Sequence, residues 1–419
     1  MRILWFTNTP SNAYKEFDYF NYSGGWISSL ETLVSETGLY ELGICFFYNG
    51  KKYQKITKDN VVYYSVPFKY GNAFKRILNR HFARLIDEDS FYFEKTIDDF
   101  KPDLIHVFGT EMGYGKILLK KSEKVLFHLQ GLMEPYSYVF FPPGLNKYKI
   151  LKKNNLISIF RGMTIYHDYR AFQKRAEREL NTIRSWKYFS GRTTWDKNYI
   201  GLINPDAHYF HLEESLRKEF FENEWIQPID IDRNKEIVIG TTINPYAYKG
   251  LDLIYKVMYL MTNYKIIWKI FGIKEDDTLK KIICKFLKIQ GKNKNITFFG
   301  QLCSEHLIKE LKTCHFFVHP SYIDNSPNSV CEAMLLGMPV LSSSVGGIKT
   351  LIIDQTTGFL FNPYDKYDLA GLLVNLINNY EKAKQVGLNA RQVALKRHSP
   401  DQIISELNKI YNFIIHDSD

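Results

Sequence analysis

The chain has little of what marks a secreted, disulfide-stapled or membrane-spanning protein. Its 419 residues contain five cysteines, Cys45, Cys284, Cys303, Cys314 and Cys331, scattered without a C-x-x-C pair. That distribution points away from a zinc site or a disulfide framework and toward a reducing cytosol. No stretch reaches the roughly 18 consecutive apolar residues that a spanning helix requires. The opening Met1-Arg2-Ile3-Leu4-Trp5-Phe6-Thr7 is a short apolar strand running into a polar loop, without the longer apolar core of a secretory signal. A cytoplasmic location is the expectation, with peripheral attachment to the inner face of the cell membrane left open by the charge.

Acidic residues are in deficit, and the formal net charge is +10. Such an excess attracts phosphate-bearing lipids, membrane surfaces or nucleic acid. The charge is clustered. Between Asn146 and Arg178 lie Lys147, Lys149, Lys152, Lys153, Arg161, Arg170, Lys174, Arg175 and Arg178 against Asp168 and Glu177. A second cluster, Phe74 to Leu85, puts Phe74, Ile77, Leu78, Phe82 and Leu85 on one helical face with basic residues opposite. Such a helix can lie on an anionic bilayer, or it can set its apolar face against its own core. The clusters lack the interleaved aromatic motif of a nucleic-acid reading module, so no nucleic-acid partner is expected.

The length suits two domains of about 200 residues each. The first half alternates apolar strands (3–6, 42–47, 61–65, 104–108, 125–129 and 188–190) with helical stretches, and the second repeats the theme (237–241, 266–271, 296–299, 316–319, 339–342 and 358–361). Alternation of this kind predicts α/β domains, each a doubly wound parallel sheet wrapped by helices. The polar segment 201–233 reads as an interdomain connection. The expected divisions are 1–224, 225–399 and a C-terminal helix over 400–419, where Ile403, Ile404, Leu407, Ile410 and Tyr411 recur at helical spacing.

The most informative segment runs from Asp324 to Val345. Asp324 and Glu332 flank a turn-forming N-S-P-N-S, and an apolar helical run follows. The free amides and positive dipole end of that helix mouth, near Asn328 and Ser329, suit a phosphate, while Glu332, about one turn in, can accept hydrogen bonds from sugar hydroxyls. That is the description of a nucleotide-sugar pocket.

The segment resembles the E-x7-E signature of retaining glycosyltransferases of family 4, with Asp324 in place of the first Glu. His319-Pro320-Ser321 before it, and Gly337-Met338-Pro339-Val340 and Val345-Gly346-Gly347 after it, stand at the family's spacing. The resemblance implies a GT-B fold, with two Rossmann-like domains facing a central cleft and the C-terminal helix crossing back to the first. Tyr248-Lys249-Gly250-Leu251-Asp252 is similar to the family's K-G-hydrophobic-D motif, which makes Lys249 the partner of the donor diphosphate, although the Arg usual before it is missing from Gly240-Thr241-Thr242-Ile243-Asn244. Ser23-Gly24-Gly25-Trp26 resembles the glycine loop near the diphosphate and acceptor, so Gly24 and Gly25 join Lys249, Asp324, Asn328, Ser329 and Glu332 as donor-binding residues.

Pro102-Asp103-Leu104-Ile105-His106 resembles a structural strand, and His106 is read as structural. Gln130 stands where relatives carry the His of an H-G pair. It can donate to sugar or acceptor but cannot act as a base, and His128 is the lesser alternative on the same strand face. Lys249, Asp324 and Gln130 are thus the catalytic candidates. Asp230-Ile231-Asp232, a D-x-D, lies in the connection rather than at the end of a buried strand and reads as coincidence; no metal or other cofactor is expected.

The resemblance implies a metal-independent hexosyltransferase that moves a sugar from a UDP- or GDP-linked donor to a glycan or lipid-linked acceptor with retention, in cell-surface polysaccharide or lipid-linked oligosaccharide synthesis. The rival reading is a non-catalytic nucleotide-sugar or polyanion binder of the same fold, favoured by the three departures at Asp324, before Lys249 and at Gln130.

Overall fold

The computed structural model describes residues 1–17, 25–87, 90–119, 124–146, 148, 156–226, 231, 235–289 and 295–417. The chain divides into two compact units, one formed by Met1–Ser137, Asn155–Leu216 and His398–Asp419, the other by Tyr138–Asn154 and Arg217–Arg397. The sequence placed the passage near residue 225; the division falls at Arg217.

The first unit holds β1 (Arg2–Thr7), β2 (Glu41–Tyr48), β3 (Gln54–Lys58), β4 (Val61–Pro67), β5 (Leu104–Phe108), β6 (Val125–His128), β7 (Tyr188–Gly191) and β8 (His208–His211). They form an eight-stranded sheet in the order β3-β4-β2-β1-β5-β6-β7-β8. Strands covered on both faces read as continuous apolar runs, and β1 shows why. Ile3 and Trp5 point into one core with Ile27, Leu30 and Val34 of the helix Trp26–Thr37, while Leu4 and Phe6 point into the other with Phe93, Ile97 and Phe100 of the helix Phe91–Phe100.

The C-terminal helix Pro400–His416 belongs to this unit and buries Ile403, Leu407, Ile410, Tyr411 and Ile414 in the core of Ile3 and Trp5. Each such side chain contributes about 1.5–3 kcal/mol. Tyr411 also supplies a polar anchor, accepting from Trp5 Nε1 at 3.1 Å and lying 2.7 Å from His106 Nδ1. His106 itself is fully buried.

Two strands escaped the sequence reading. β3 pairs antiparallel with β4 at the sheet edge, so the sheet is not purely parallel, and its Q-K-I-T-K carries too little apolar character to register. β8, with the pattern H-Y-F-H, closes the other edge inside the segment taken for a connection, which also contains the helix Lys218–Glu222. The basic amphipathic helix spans Ala73–His81 and ends at Phe82, so Leu85 lies beyond its face.

The second unit holds β9 (Ile237–Thr242), β10 (Ile266–Phe271), β11 (Ile296–Gly300), β12 (Phe316–His319), β13 (Val340–Ser343) and β14 (Phe359–Phe361). Their order, β11-β10-β9-β12-β13-β14, reverses direction between β9 and β12, and every pairing is parallel. Ligands bind open α/β sheets beyond the carboxyl ends of the strands at such a reversal.

Candidate functional site

The loops after β9 and β12 meet at that reversal. After β9 the chain makes a 3-10 turn, Ala247–Lys249, and enters the helix Leu251–Leu260 through Gly250 in the left-handed region at φ 79°. A Cβ on Gly250 would lie 2.0 Å from the carbonyl oxygen of Pro320. Glycine is therefore required twice over, by φ and by the approach of the neighbouring loop. Tyr322 N–H donates to the carbonyl of Tyr248 at 2.8 Å, stitching the two loops together. Asp252, fully buried, accepts from Tyr322 Oη at 2.9 Å and from Lys256 Nζ at 2.6 Å. The acid of the K-G-hydrophobic-D motif thus braces the loop that carries Lys249.

Lys249 Nζ lies 2.6 Å from Asp324 Oδ2, and His319 Nε2 lies 2.8 Å from the same oxygen. The carbonyl of Asp324 accepts from Gly347 N–H at 3.0 Å, which ties the acid to the Val345-Gly346-Gly347 turn. Burial opposes ionisation of Asp324, but Lys249 and His319 outweigh it and hold the carboxyl far below the usual carboxylate range. Burial dominates at His319 and pushes its imidazole below the ordinary value, with Asp324 pulling the other way and Lys249 adding to the depression. At neutral pH a carboxylate at Asp324 thus faces a neutral imidazole at His319.

The helix Asn328–Leu336 follows, preceded by Pro327, which offers no side-chain cap. Asn328 and Ser329 are partly exposed at its mouth, while Glu332 is mostly buried. Glu332 is gripped by Arg217, whose Nε reaches Oε1 and whose Nη2 reaches Oε2, each at 2.8 Å. The same guanidinium donates to Ser304 Oγ at 3.2 Å and lies 4.7 Å over the ring of Phe220. Nothing in the sequence singled out Arg217, which stands in the charged run Leu216-Arg217-Lys218-Glu219.

In the first unit, Gly25 is extended and opens the helix Trp26–Thr37; Gly24 lies outside the described residues, as do Asp230 and Asp232. Gln130 follows β6, with its Nε2 buried and without a hydrogen-bond partner among the described residues. His128 is fully buried, with Nδ1 3.0 Å from Ser190 Oγ and Nε2 3.7 Å from Glu214 Oε1. Glu214 pairs with Arg192 Nη2 at 3.1 Å. His128 is therefore part of a buried network.

The carboxyl ends of β1 and β5, where this sheet reverses, carry Asn8, which donates to Glu111, and Thr110, whose Oγ1 donates at 2.5 Å to the fully buried Glu179 of the helix Ile165–Ser185, which also accepts from Met133 N–H at 2.6 Å. Burial pushes the Glu179 carboxyl up to about 8. Sequence reasoning missed this group, since Glu179 sits mid-helix in R-A-E-R-E-L with no motif around it.

Two doubly wound α/β units, the second with a charged loop pair at its strand-order reversal, define the GT-B glycosyltransferase fold. Residues 222–393 match the family of glycosyl transferases group 1. An uncharacterised glycosyltransferase of Methanocaldococcus jannaschii is 26% identical over 303 residues, covering 70% of this chain and 78% of that one. Among solved structures, sucrose-phosphate synthase from Thermosynechococcus elongatus superposes with a TM-score of 0.73 at 14% identity over 100% of both chains. Anabaena HepE in complex with UDP and glucose superposes with 0.67 at 13% identity, covering 98% of this chain and 99% of that one.

Proposed function

We propose that the protein is a retaining, metal-independent glycosyltransferase of family 4 type that takes a sugar from a UDP- or GDP-linked donor. The observation that carries this reading is the Lys249–Asp324 ion pair at the β9/β12 reversal, followed directly in the chain by the helix that opens at Asn328 and carries Glu332. UDP in the HepE complex favours a nucleotide donor.

In this reading Lys249 stabilises the charge that builds on the departing diphosphate, where a fixed cation in a water-poor site is most effective. Asp324 and the first-turn amides hold the transferred sugar and a phosphate, and Glu332 accepts from the ribose. Gln130 donates to sugar or acceptor, and departure and attack occur on the same face through an oxocarbenium-like transition state. A hydrogen bond to a charged group is worth roughly 1.5–3 kcal/mol, so loss of Glu332 weakens the nucleotide about tenfold or more.

The acceptor proposed is a glycan or lipid-linked saccharide of cell-surface polysaccharide synthesis. Support comes from the surface of the first unit. Phe74 and Phe82 are 68% and 60% exposed on the basic helix, and Leu156 and Phe160 are 84% and 75% exposed nearby, joined to it where His81 Nε2 meets the Phe160 carbonyl at 2.8 Å. Arg80, Arg84, Arg161 and Arg170 surround them, which suits an anionic membrane surface. Lys147, Lys149, Lys152 and Lys153 of the cluster between Asn146 and Arg178 lie outside the described residues. No helix among the described residues is long and apolar enough to cross a membrane.

Calorimetric titration of UDP and GDP in EDTA tests the donor site, comparing wild type with Glu332→Ala. Micromolar binding of one nucleotide, lost in the variant, is the expected result; absence of binding by both overturns the placement of the pocket. The non-catalytic alternative, favoured by Asp324 for Glu and Gln130 for His, predicts binding without donor hydrolysis or transfer.

A further inference from the structure

The second unit contains a piece of the first half of the chain, Tyr138–Asn154, which in sequence stands between two stretches of the first unit. In Phe140-Phe141-Pro142-Pro143-Gly144-Leu145 the Leu145 N–H donates to the Pro142 carbonyl at 3.0 Å, and Gly144 takes φ 85°, the positive value that the third residue of a proline-led type II turn requires. A Cβ on Gly144 would lie 3.3 Å from Phe286 Cζ, so the turn rests on the helix Thr278–Leu287. Phe140 and Leu145 are buried. The Phe140 ring lies 6.0 Å from that of Tyr248, the residue before Lys249.

Tyr248 is where this packing meets the site. Its ring is buried, Tyr246 stacks on it at 5.4 Å, and Lys249 Nζ lies 5.7 Å over it. The backbone of the turn is fixed by Lys249 N–H donating to the Tyr246 carbonyl and by Tyr322 N–H donating to that of Tyr248. Those bonds set where the lysine starts, but its ammonium hangs on a flexible four-carbon stem. Asp324 Oδ2 and the face of the Tyr248 ring orient it. A ring face attracts a cation only along its normal, so the ring must be kept from turning. Tyr246 is 48% exposed and cannot confine it alone; Phe140 is the buried neighbour that can.

We propose that Phe140 is a positioning residue for the donor diphosphate: by confining the Tyr248 ring it holds the aromatic face that, together with Asp324, aims the Lys249 ammonium. The inference rests on the reading of Lys249 as the partner of the diphosphate. Phe140 itself does not touch the nucleotide. The donor unit is then incomplete without a segment that lies far upstream of Arg217–Arg397 in sequence.

The test is calorimetry with the nucleoside diphosphate that binds and the corresponding monophosphate, on wild type, Phe140→Ala, Phe140→Leu, Lys249→Met and the Phe140→Ala, Lys249→Met double variant, with thermal unfolding run on each. Phe140→Val takes the place of the alanine variant should that one not fold. Removing the ring is expected to weaken the diphosphate about fivefold, the size of one partly shielded cation–π contact, with monophosphate affinity unchanged. Phe140→Leu, which refills most of the space, is expected to recover the diphosphate to within about twofold of wild type. In the Lys249→Met background the loss of Phe140 is expected to have no further effect. Equal weakening of both nucleotides, an unchanged or tightened diphosphate, or an undiminished further loss in the Lys249→Met background overturns the inference while leaving the donor site standing if Glu332→Ala still abolishes binding. Failure of wild type to bind either nucleotide refutes the underlying donor reading instead.

Discussion

Replacing Lys249 with methionine keeps the aliphatic stem and removes the charge, which isolates the role of the ion pair with Asp324. The two side chains are 15% and 8% exposed and 2.6 Å apart, so Lys249→Met leaves a nearly buried carboxylate without its strongest partner. Removing one member of a buried pair costs roughly 3–5 kcal/mol, and the residual exposure of Lys249 puts the expected loss near the lower end at pH 8. His319 makes the loss pH-dependent. In the wild type its imidazole is held below the ordinary value by burial and by Lys249. In the variant Lys249 no longer depresses it while Asp324 still attracts a proton from 2.8 Å, so the folded-state pKa of His319 rises. Compared with the wild type, a histidine whose folded-state pKa is less depressed takes up a proton more readily as pH falls, so the variant recovers part of its loss at low pH. Destabilisation should accordingly be smaller at pH 5.5 than at pH 8. Hydrogen exchange of β9 and β12 amides under increasing denaturant reads the second unit by itself. Equal losses at the two pH values, or a loss below about 1 kcal/mol at pH 8, would refute the account of the Lys249–Asp324–His319 cluster.

Glu179→Gln should stabilise the first unit increasingly with pH. The folded carboxyl holds its proton up to about 8 while the unfolded one loses it near 4.5, so the wild type loses stability across that window by an amount on the order of 4 kcal/mol, and an amide carries no such slope. Urea unfolding at pH 5.5 and 8 checks this, and parallel pH slopes for the two proteins would count against it. Gly250→Ala should cost at least about 1 kcal/mol from the left-handed φ alone, and more from the 2.0 Å approach to Pro320, with nucleotide affinity falling as Lys249 is displaced; calorimetry and thermal unfolding report both. Asp324→Asn should release Lys249 to a diphosphate, tightening the free nucleoside diphosphate while weakening the nucleotide sugar relative to it, and a variant that weakens both equally would remove Asp324 from sugar recognition.

Much of this was legible in the chain because it rests on local constraints. Apolar runs such as Ile3–Phe6 and Ile266–Phe271 announce buried parallel strands, and the helical spacing of Ile403, Leu407 and Ile410 announces a helix with one face to bury. Asp324 and Glu332 stood out by their spacing within one short segment, and Lys249 by the resemblance of Tyr248–Asp252 to a short motif. The misses share a different physical origin. β3 and β8 are edge strands whose pairing depends on neighbours rather than on their own sequence, and the pattern H-Y-F-H carries no apolar alternation to read. Arg217 reaches Glu332 across 115 positions. Its role exists only once the chain has folded, and a lone arginine in a charged run has no local signature.

The paired charges alter what the pocket can offer a donor. Each cation of the site already faces an anion of the protein, Lys249 with Asp324 and Arg217 with Glu332, so the cluster adds little net positive charge despite the excess across the chain. Asp324 is held so far below the usual carboxylate range that it remains ionised throughout the physiological window, and protonation cannot release Lys249. In the proposed reading, a diphosphate therefore shares the ammonium with Asp324, using the donors that remain of its three, and draws the rest of its stabilisation from the helix opening at Asn328. Because that helix is fixed and Lys249 is held from one side, the groups need little reorganisation when charge moves onto the diphosphate. In the proposed reading, the pairing that lowers raw attraction for the nucleotide holds Lys249 where it acts in the transition state, which is the condition under which binding energy raises turnover rather than affinity alone.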